Sequence, residues 1–222
     1  MKFPLLLIVS CFLSLMSYSQ NRIHIYGGLN LNDYRFPDNP YDFNELYNPN
    51  FGPHIGIFTE LPLNQKLFLR PQLQFIMRGS YFKNEPTHTE ARTNLIYAEL
   101  PVLLGYQISN LFSIAIGPSV GYKLYAYGKA DGKTEKLESF PENEFDFGIT
   151  SAFGWKASEN WTFLLSSYFG LTAIHKYDVF NTQTFDLMPV SFANVGLQIS
   201  AAYKFPAKDP AKEKSKPPFG RR

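Results

Sequence analysis

The chain has 222 residues, with 21 Lys and Arg against 19 Asp and Glu, 14 Tyr, 21 Phe and one Cys. Its aromatic and aliphatic content excludes a wholly disordered chain, and a single cysteine excludes both a disulfide scaffold and a cysteine-based zinc site. Beyond the first twenty residues polar side chains recur at every second position, which excludes a helical membrane protein.

Met1-Lys2 precede an apolar stretch from Leu5 to Leu15, and Ser17-Tyr18-Ser19 places small residues where a signal peptidase reads. The reading is a secretory signal peptide over 1–20, cleaved next to Gln20. The stretch is short for a membrane anchor. Ile8-Val9-Ser10-Cys11 matches a lipoprotein box by residue type, but the apolar run continues past the cysteine. Cleavage removes Cys11 and leaves a thiol-free chain, which suits an oxidising compartment.

From there to Phe205 the chain reads as strands. Eight segments alternate in character: 22–31, 51–61, 66–78, 94–107, 111–126, 145–156, 161–173 and 190–205. In 66–78 one face is Leu67, Leu69, Pro71, Leu73, Phe75 and Met77. The other is Lys66, Phe68, Arg70, Gln72, Gln74, Ile76 and Arg78. A period of two sustained over ten or more residues is a strand signal of unusual length, because soluble strands average about five or six residues. A tilted strand that crosses a bilayer needs about 9–11.

The connections alternate too. Short ones lie at 62–65, 109–110 and 157–160; long ones span 32–50, 79–93, 127–144 and 174–189. Short turns at one end and long polar loops at the other are the pattern of an outer-membrane barrel. Lipid offers no hydrogen-bond partner, so a spanning sheet must close on itself. The fold class is therefore all-β: an eight-stranded antiparallel transmembrane barrel with periplasmic turns and extracellular loops. A lipocalin-like barrel or sandwich also alternates, but turns its apolar face inward. Tyr106, Phe112, Trp155, Trp161, Tyr203 and Phe205 fall near the short turns. Tyr122, Tyr125, Tyr127, Phe145 and Phe147 fall near the long loops, as two interfacial girdles would. Pro53, Pro71, Pro101 and Pro118 interrupt strands paired on both sides, and a local bulge is expected at each.

Tyr26-Gly27-Gly28-Leu29-Asn30, Tyr97-Ala98-Glu99-Leu100-Pro101-Val102-Leu103-Leu104-Gly105-Tyr106 and Ile116-Gly117-Pro118-Ser119-Val120-Gly121-Tyr122 resemble strands of the PorT-like outer-membrane β-barrel family. Phe51-Gly52-Pro53-His54-Ile55-Gly56-Ile57-Phe58 and Leu69-Arg70-Pro71-Gln72-Leu73-Gln74 are similar to its second and third strands. The Tyr-Glu-Leu-Pro strand is the most specific of these. The resemblance implies an eight-stranded barrel in a Gram-negative outer membrane, with interior prolines recurring. Its named member is an accessory of a secretion and gliding system. The tail beyond Phe205 departs from the family, whose chains end near the last strand.

The inferred lumen face holds Arg22, His24, His54, Glu60, Arg70, Gln72, Gln74, Arg78, Glu99, Lys123 and Asp146, with Lys156 and Lys204 near one rim. Charges of both signs in a narrow barrel pair and fill it, since an unpaired charge there is costly. The alternative is a narrow porin-like channel for small solutes. His24 and His54, with Glu60 or Glu99, lack the close spacing of a metal motif, and no metal or other cofactor is expected. His175, Asp178, Asp186 and Ser191 lie near the outer edge without catalytic spacing, so no enzyme is expected. Tyr34, Phe36, Tyr41, Phe43 and Tyr47 make the first long loop an aromatic-rich binding surface in composition. The tail 206–222 carries six positive and two negative residues, which leaves 20–205 at −3. A slightly acidic body excludes a nucleic-acid partner. The expected partners are outer-membrane lipid and an envelope or secretion-system protein, met through the loops or the basic periplasmic tail.

Overall fold

The computed structural model describes residues 23–36, 47–84, 89–130, 133–137, 140, 142–180 and 187–205. The expected signal segment, Arg22, Tyr41, Phe43, Asp186 and the basic tail lie outside them, as do the side chains of Tyr47 and Asp178. The described residues form twelve strands: β1 (Ile23–Arg35), β2 (Tyr47–Thr59), β3 (Leu61–Pro62), β4 (Leu67–Arg78), β5 (Ser80–Asn84), β6 (Thr89–Gln107), β7 (Phe112–Ala130), β8 (Lys133–Lys136), β9 (Phe145–Lys156), β10 (Trp161–Gly170), β11 (His175–Phe180) and β12 (Leu187–Lys204).

Eight of them form a closed antiparallel ring. β1 pairs with β2, β2 with β4, β4 with β6 and β6 with β7. β7 pairs with β9, β9 with β10 and β10 with β12. The seam from His24–Lys204 to Arg35–Ala193 joins β12 back to β1. Closure removes every sheet edge from the lipid, which a bilayer demands. The other four extend the wall at its ends. β3 folds onto β4, β5 continues β4 past Gly79, β8 doubles back on β7, and β11 pairs with β12. Much of what the sequence marks as long loop is therefore raised wall. β6 and β7 run 19 residues each, well beyond the roughly 9–11 that a bilayer needs.

The short turns are fixed by single polar side chains. Asn64 Oδ1 accepts from the amides of Lys66 and Leu67, both at 2.8 Å. Ser109 Oγ takes Leu111 and Phe112, and Ser158 Oγ takes Asn160 and Trp161. A side chain that satisfies its own turn lets two strands reverse within a few residues.

Polarity is inverted relative to a soluble barrel. Leu29, Phe51, Ile55, Ile116, Leu165 and Ile199 are each more than half exposed, whereas Arg70, Arg78, Glu99 and Asp146 are at most 1 % exposed. Girdles close both ends of the apolar band. Trp161–Tyr203 and Trp155–Phe163 ring pairs stand at the short-turn end, and Tyr122–Phe145 and Tyr125–Tyr127 at the other.

The strand prolines behave differently from the expectation. Between the rungs Pro71–Val102 and Gln74–Glu99 two rungs are missing from β4–β6, and two more are missing between Pro101–Ser119 and Leu104–Ile116 in β6–β7. Register is unchanged across both gaps, so no residue is inserted at Pro71, Pro101 or Pro118. Proline removes a donor, but its fixed φ is compatible with an extended chain. Only near Pro53 is there an extra residue: six residues of β2, from Pro49 to His54, face five of β4–β5, from Ser80 to Ile76. Gly79, at φ +139°, absorbs the kink on the opposing strand. A second bulge arises without proline, where Tyr97 faces Lys123 but Ile96 faces Tyr125. It turns Ala126 inward, and Tyr125 and Tyr127 outward.

Candidate functional site

Inward positions of the eight strands meet in a lumen that is filled in three tiers. At the short-turn end the His24 ring stacks on Phe58 at 4.4 Å. Arg70 donates to Glu60 Oε1 through Nε at 3.1 Å and Nη2 at 2.6 Å. Its guanidinium lies about midway between the Phe58 and Phe68 rings, 5.1 and 5.0 Å from their centroids. Phe68 can lie flat because Gly105 stands opposite it; a Cβ there would come within 2.1 Å of the ring. Such glycine–aromatic pairs let a large ring line a narrow wall.

The middle tier is a charged network. Arg78 donates to Glu99 Oε2 at 2.6 Å and to Asp146 Oδ2 at 2.9 Å, and its guanidinium lies 3.5 Å from the Tyr168 ring centroid. Glu99 also accepts from Gln74 Nε2 at 3.0 Å and from the Ser119 hydroxyl. Asp146 accepts from Asn194 Nδ2 at 2.8 Å. The Tyr26 hydroxyl donates to Gln74 at 2.9 Å and lies 3.2 Å from Gln72. His54 Nε2 and Ser200 Oγ stand 2.7 Å apart. A buried charge is tolerable only when it is paired and its remaining lone pairs are met, and Arg78 sits between two carboxylates that each hold a further donor.

The upper tier is apolar. Tyr34, Phe36, Ile76, Leu95, Tyr97, Ala126, Ile174, Val190 and Phe192 form one buried cluster, with Leu137 and Phe140 packed against it. Rings of Tyr34, Phe36 and Phe140 all lie within 6 Å of Phe192. This cluster closes the long-loop mouth.

His24, His54, Glu60, Arg70, Gln72, Gln74, Arg78, Glu99 and Asp146 thus come together on the inner face, with Glu60 the most exposed of the carboxylates there. Lys123 is half-buried at the β7 bulge, with its amide bonded to the Glu144 carbonyl at 2.8 Å. Tyr34 and Phe36 are 5 % and 7 % exposed and belong to the upper cluster. The inward phase of β1 carries Tyr34 over the mouth, so it packs there instead of facing solvent. Register sets Ser191 opposite Lys176 and His175 opposite Phe192, which puts the hydroxyl and the imidazole on opposite faces of β11–β12. Among the described residues no three His, Cys, Asp or Glu side chains gather closely enough to hold a metal.

Residue-type reasoning missed Tyr26, Tyr97, Tyr168, Ser119, Asn194 and Ser200. Strand phase was the available signal: Tyr97 lies two residues from Glu99, and Ser119, Asn194 and Ser200 fall on faces already read as inward.

A family model described as "Outer membrane protein beta-barrel domain" matches residues 18–176. Among curated proteins none matches the chain significantly in sequence. Among solved structures, the chain is similar to Neisserial surface protein A at 12 % identity and TM-score 0.51, over 82 % of this chain and 97 % of that one. Two further likenesses are weaker. The attachment invasion locus protein Ail of Yersinia pestis has 12 % identity and TM-score 0.43, over 84 % of this chain and 99 % of its own. OprG of Pseudomonas aeruginosa has 12 % identity and TM-score 0.42, over 84 % and 97 %.

Proposed function

Since the chain belongs to the outer membrane protein beta-barrel domain family and resides in the outer membrane, we propose that it is a non-enzymatic envelope scaffold or accessory, linked to protein secretion, that works through its extracellular loops or its periplasmic tail. The observation that carries this reading is the filled lumen. Arg78, Glu99 and Asp146 occupy its middle, and the Tyr34–Phe192 cluster closes its mouth. A barrel plugged by its own side chains is a rigid post, and a rigid post presents what hangs from its ends. In this reading residues 1–20 are the cleaved export signal, and 206–222 form a basic tail in the periplasm. The resemblance of Tyr97–Tyr106 to the PorT-like branch supports the secretion link and an envelope or secretion-system protein as partner.

The test is the secreted and surface proteome of a strain that lacks the gene. Loss of a defined set of exported proteins, restored by the intact gene, is the expected result. An unchanged proteome overturns the secretion link. In planar bilayers the purified barrel is expected to give no discrete current steps, and regular steps would replace the scaffold with a narrow channel.

A further inference from the structure

The raised wall formed by β5, β6, β7 and β8 carries a cluster of cations on its outer surface. Arg92 and Lys129 are exposed and directly opposed across β6–β7. One repeat nearer the membrane, Tyr127 of β7 faces Lys136 of β8, which is also exposed. Strand alternation puts Arg92, Lys129 and Lys136 on the outward face shared by Tyr125 and Tyr127, while Lys133 and Glu135 alternate to the other face.

Like charges set directly opposite in a sheet are unfavourable, as Arg92 and Lys129 are. The Arg92 guanidinium is steered by Tyr81, whose ring centroid lies 5.5 Å away. The Tyr81 hydroxyl is hydrogen-bonded to Glu90, which raises its pKa. Glu90 is also set opposite Lys83. The height of the cluster is equally informative. Tyr125 and Tyr127 belong to the upper girdle, so Lys136 stands level with the lipid headgroups, and Arg92 and Lys129 stand about 7 Å further along the strands, at two residues' rise. Neighbouring strands lie about 4.8 Å apart, so the three cations span the footprint of one phosphorylated headgroup.

We infer that Arg92, Lys129 and Lys136 form a binding site for the phosphate of an outer-leaflet lipid, with Tyr81 and Tyr127 as its aromatic walls. Arginine supplies a forked donor to phosphate oxygens and the lysines supply point charges. The acyl chains of such a lipid then lie along the exposed apolar face below Tyr125.

The test uses the full mature barrel in detergent micelles, titrated with bisphosphorylated lipid A and with the same lipid stripped of its phosphates, and read by lipid co-purification. Three clustered charges at a membrane surface predict about a tenfold or greater preference for the phosphorylated form. The triple variant Arg92→Gln, Lys129→Gln, Lys136→Gln is expected to lose that preference, whereas Lys66→Gln with Lys156→Gln, at the opposite rim, keeps it. Inorganic phosphate at millimolar concentration is expected to leave binding unchanged; full competition would assign the site to a free anion and overturn the lipid. Equal binding of both lipids, or an unaltered preference in the triple variant, overturns the site itself. Retained heat-modifiable migration on gels shows that each variant is folded.

Discussion

Replacing Arg78 with Met removes the charge at the centre of the lumen while keeping most of the side-chain volume. Two ion pairs are lost, at 2.6 Å to Glu99 and 2.9 Å to Asp146, together with the stack on Tyr168. Both carboxylates are buried, at 1 % and 0 % exposure, so neither can turn to water. Removing one partner of a buried pair costs about 3–5 kcal/mol. Here Glu99 keeps Gln74 and Ser119, and Asp146 keeps Asn194, which sets the expectation at the lower end, about 3 kcal/mol. The compensated variant Arg78→Met, Glu99→Gln, Asp146→Asn carries no orphaned charge and is expected to recover to within about 1 kcal/mol of the parent, since coupled neighbours are not additive. Urea unfolding in lipid vesicles, followed by Trp155 and Trp161 fluorescence, measures both. A loss below about 1 kcal/mol for the single variant would mean that water reaches the carboxylates, and would refute the filled lumen on which the scaffold reading stands.

Gly117→Ala places a Cβ 2.0 Å from the Val102 carbonyl oxygen. Backbone cannot yield there, so loss of the fast-migrating unboiled band is expected; normal migration would contradict the close approach of β6 and β7. Leu165→Arg puts a charge on the lipid face, where Leu165 is 51 % exposed, and is expected to destabilise by about 2–4 kcal/mol in vesicles. Unaltered stability would argue that this face does not meet lipid. Phe192→Ala opens the upper cluster and is expected to cost about 3–5 kcal/mol, with unfolding midpoints as the measure; a cost near zero would mean that the aromatic cap does not pack as described.

The fold was legible because two constraints act on every spanning residue at once. Strand phase must alternate, and the wall must close, so Leu67–Arg78 announces both its lumen and its lipid face without any partner in view. The same logic placed Arg70, Arg78, Glu99 and Asp146 on one surface. It could not say which carboxylate Arg78 takes, because β4, β6 and β9 bring them together from positions 21 and 68 residues away. Loop reasoning failed differently. Composition marks 127–144 as a polar loop, yet backbone pairing to the rising edge of β7 makes Lys133–Lys136 a strand. Polar, exposed side chains carry no signal for that. Tyr34 was misjudged for a related reason: aromatics among Asn, Asp and Pro look like a surface until the phase of β1 is carried two rungs further, where it points Tyr34 over the mouth.

The bulge at Leu124 ties the lumen to the outer rim. Were β7 regular, the phase that buries Ser113, Ala115 and Ser119 would also bury Tyr125, Tyr127 and Lys129. The inserted residue reverses the phase, sends Ala126 into the upper cluster, and turns two girdle tyrosines and a lysine outward. One extra residue thus lets a single strand contribute a small polar wall to the charged network, a small apolar wall to the cap, and a cation to the surface above the bilayer. Deleting Leu124 joins Lys123 to Tyr125, so the Tyr97–Lys123, Ile96–Tyr125 and Leu95–Ala126 rungs run on as a regular ladder, with Ala126 still inward and Lys129 still outward. The deletion variant is therefore expected to keep heat-modifiable migration and the parent's protease pattern within 124–137. New cleavage in that stretch of a barrel that still migrates as folded would show that Leu124 is not the inserted residue.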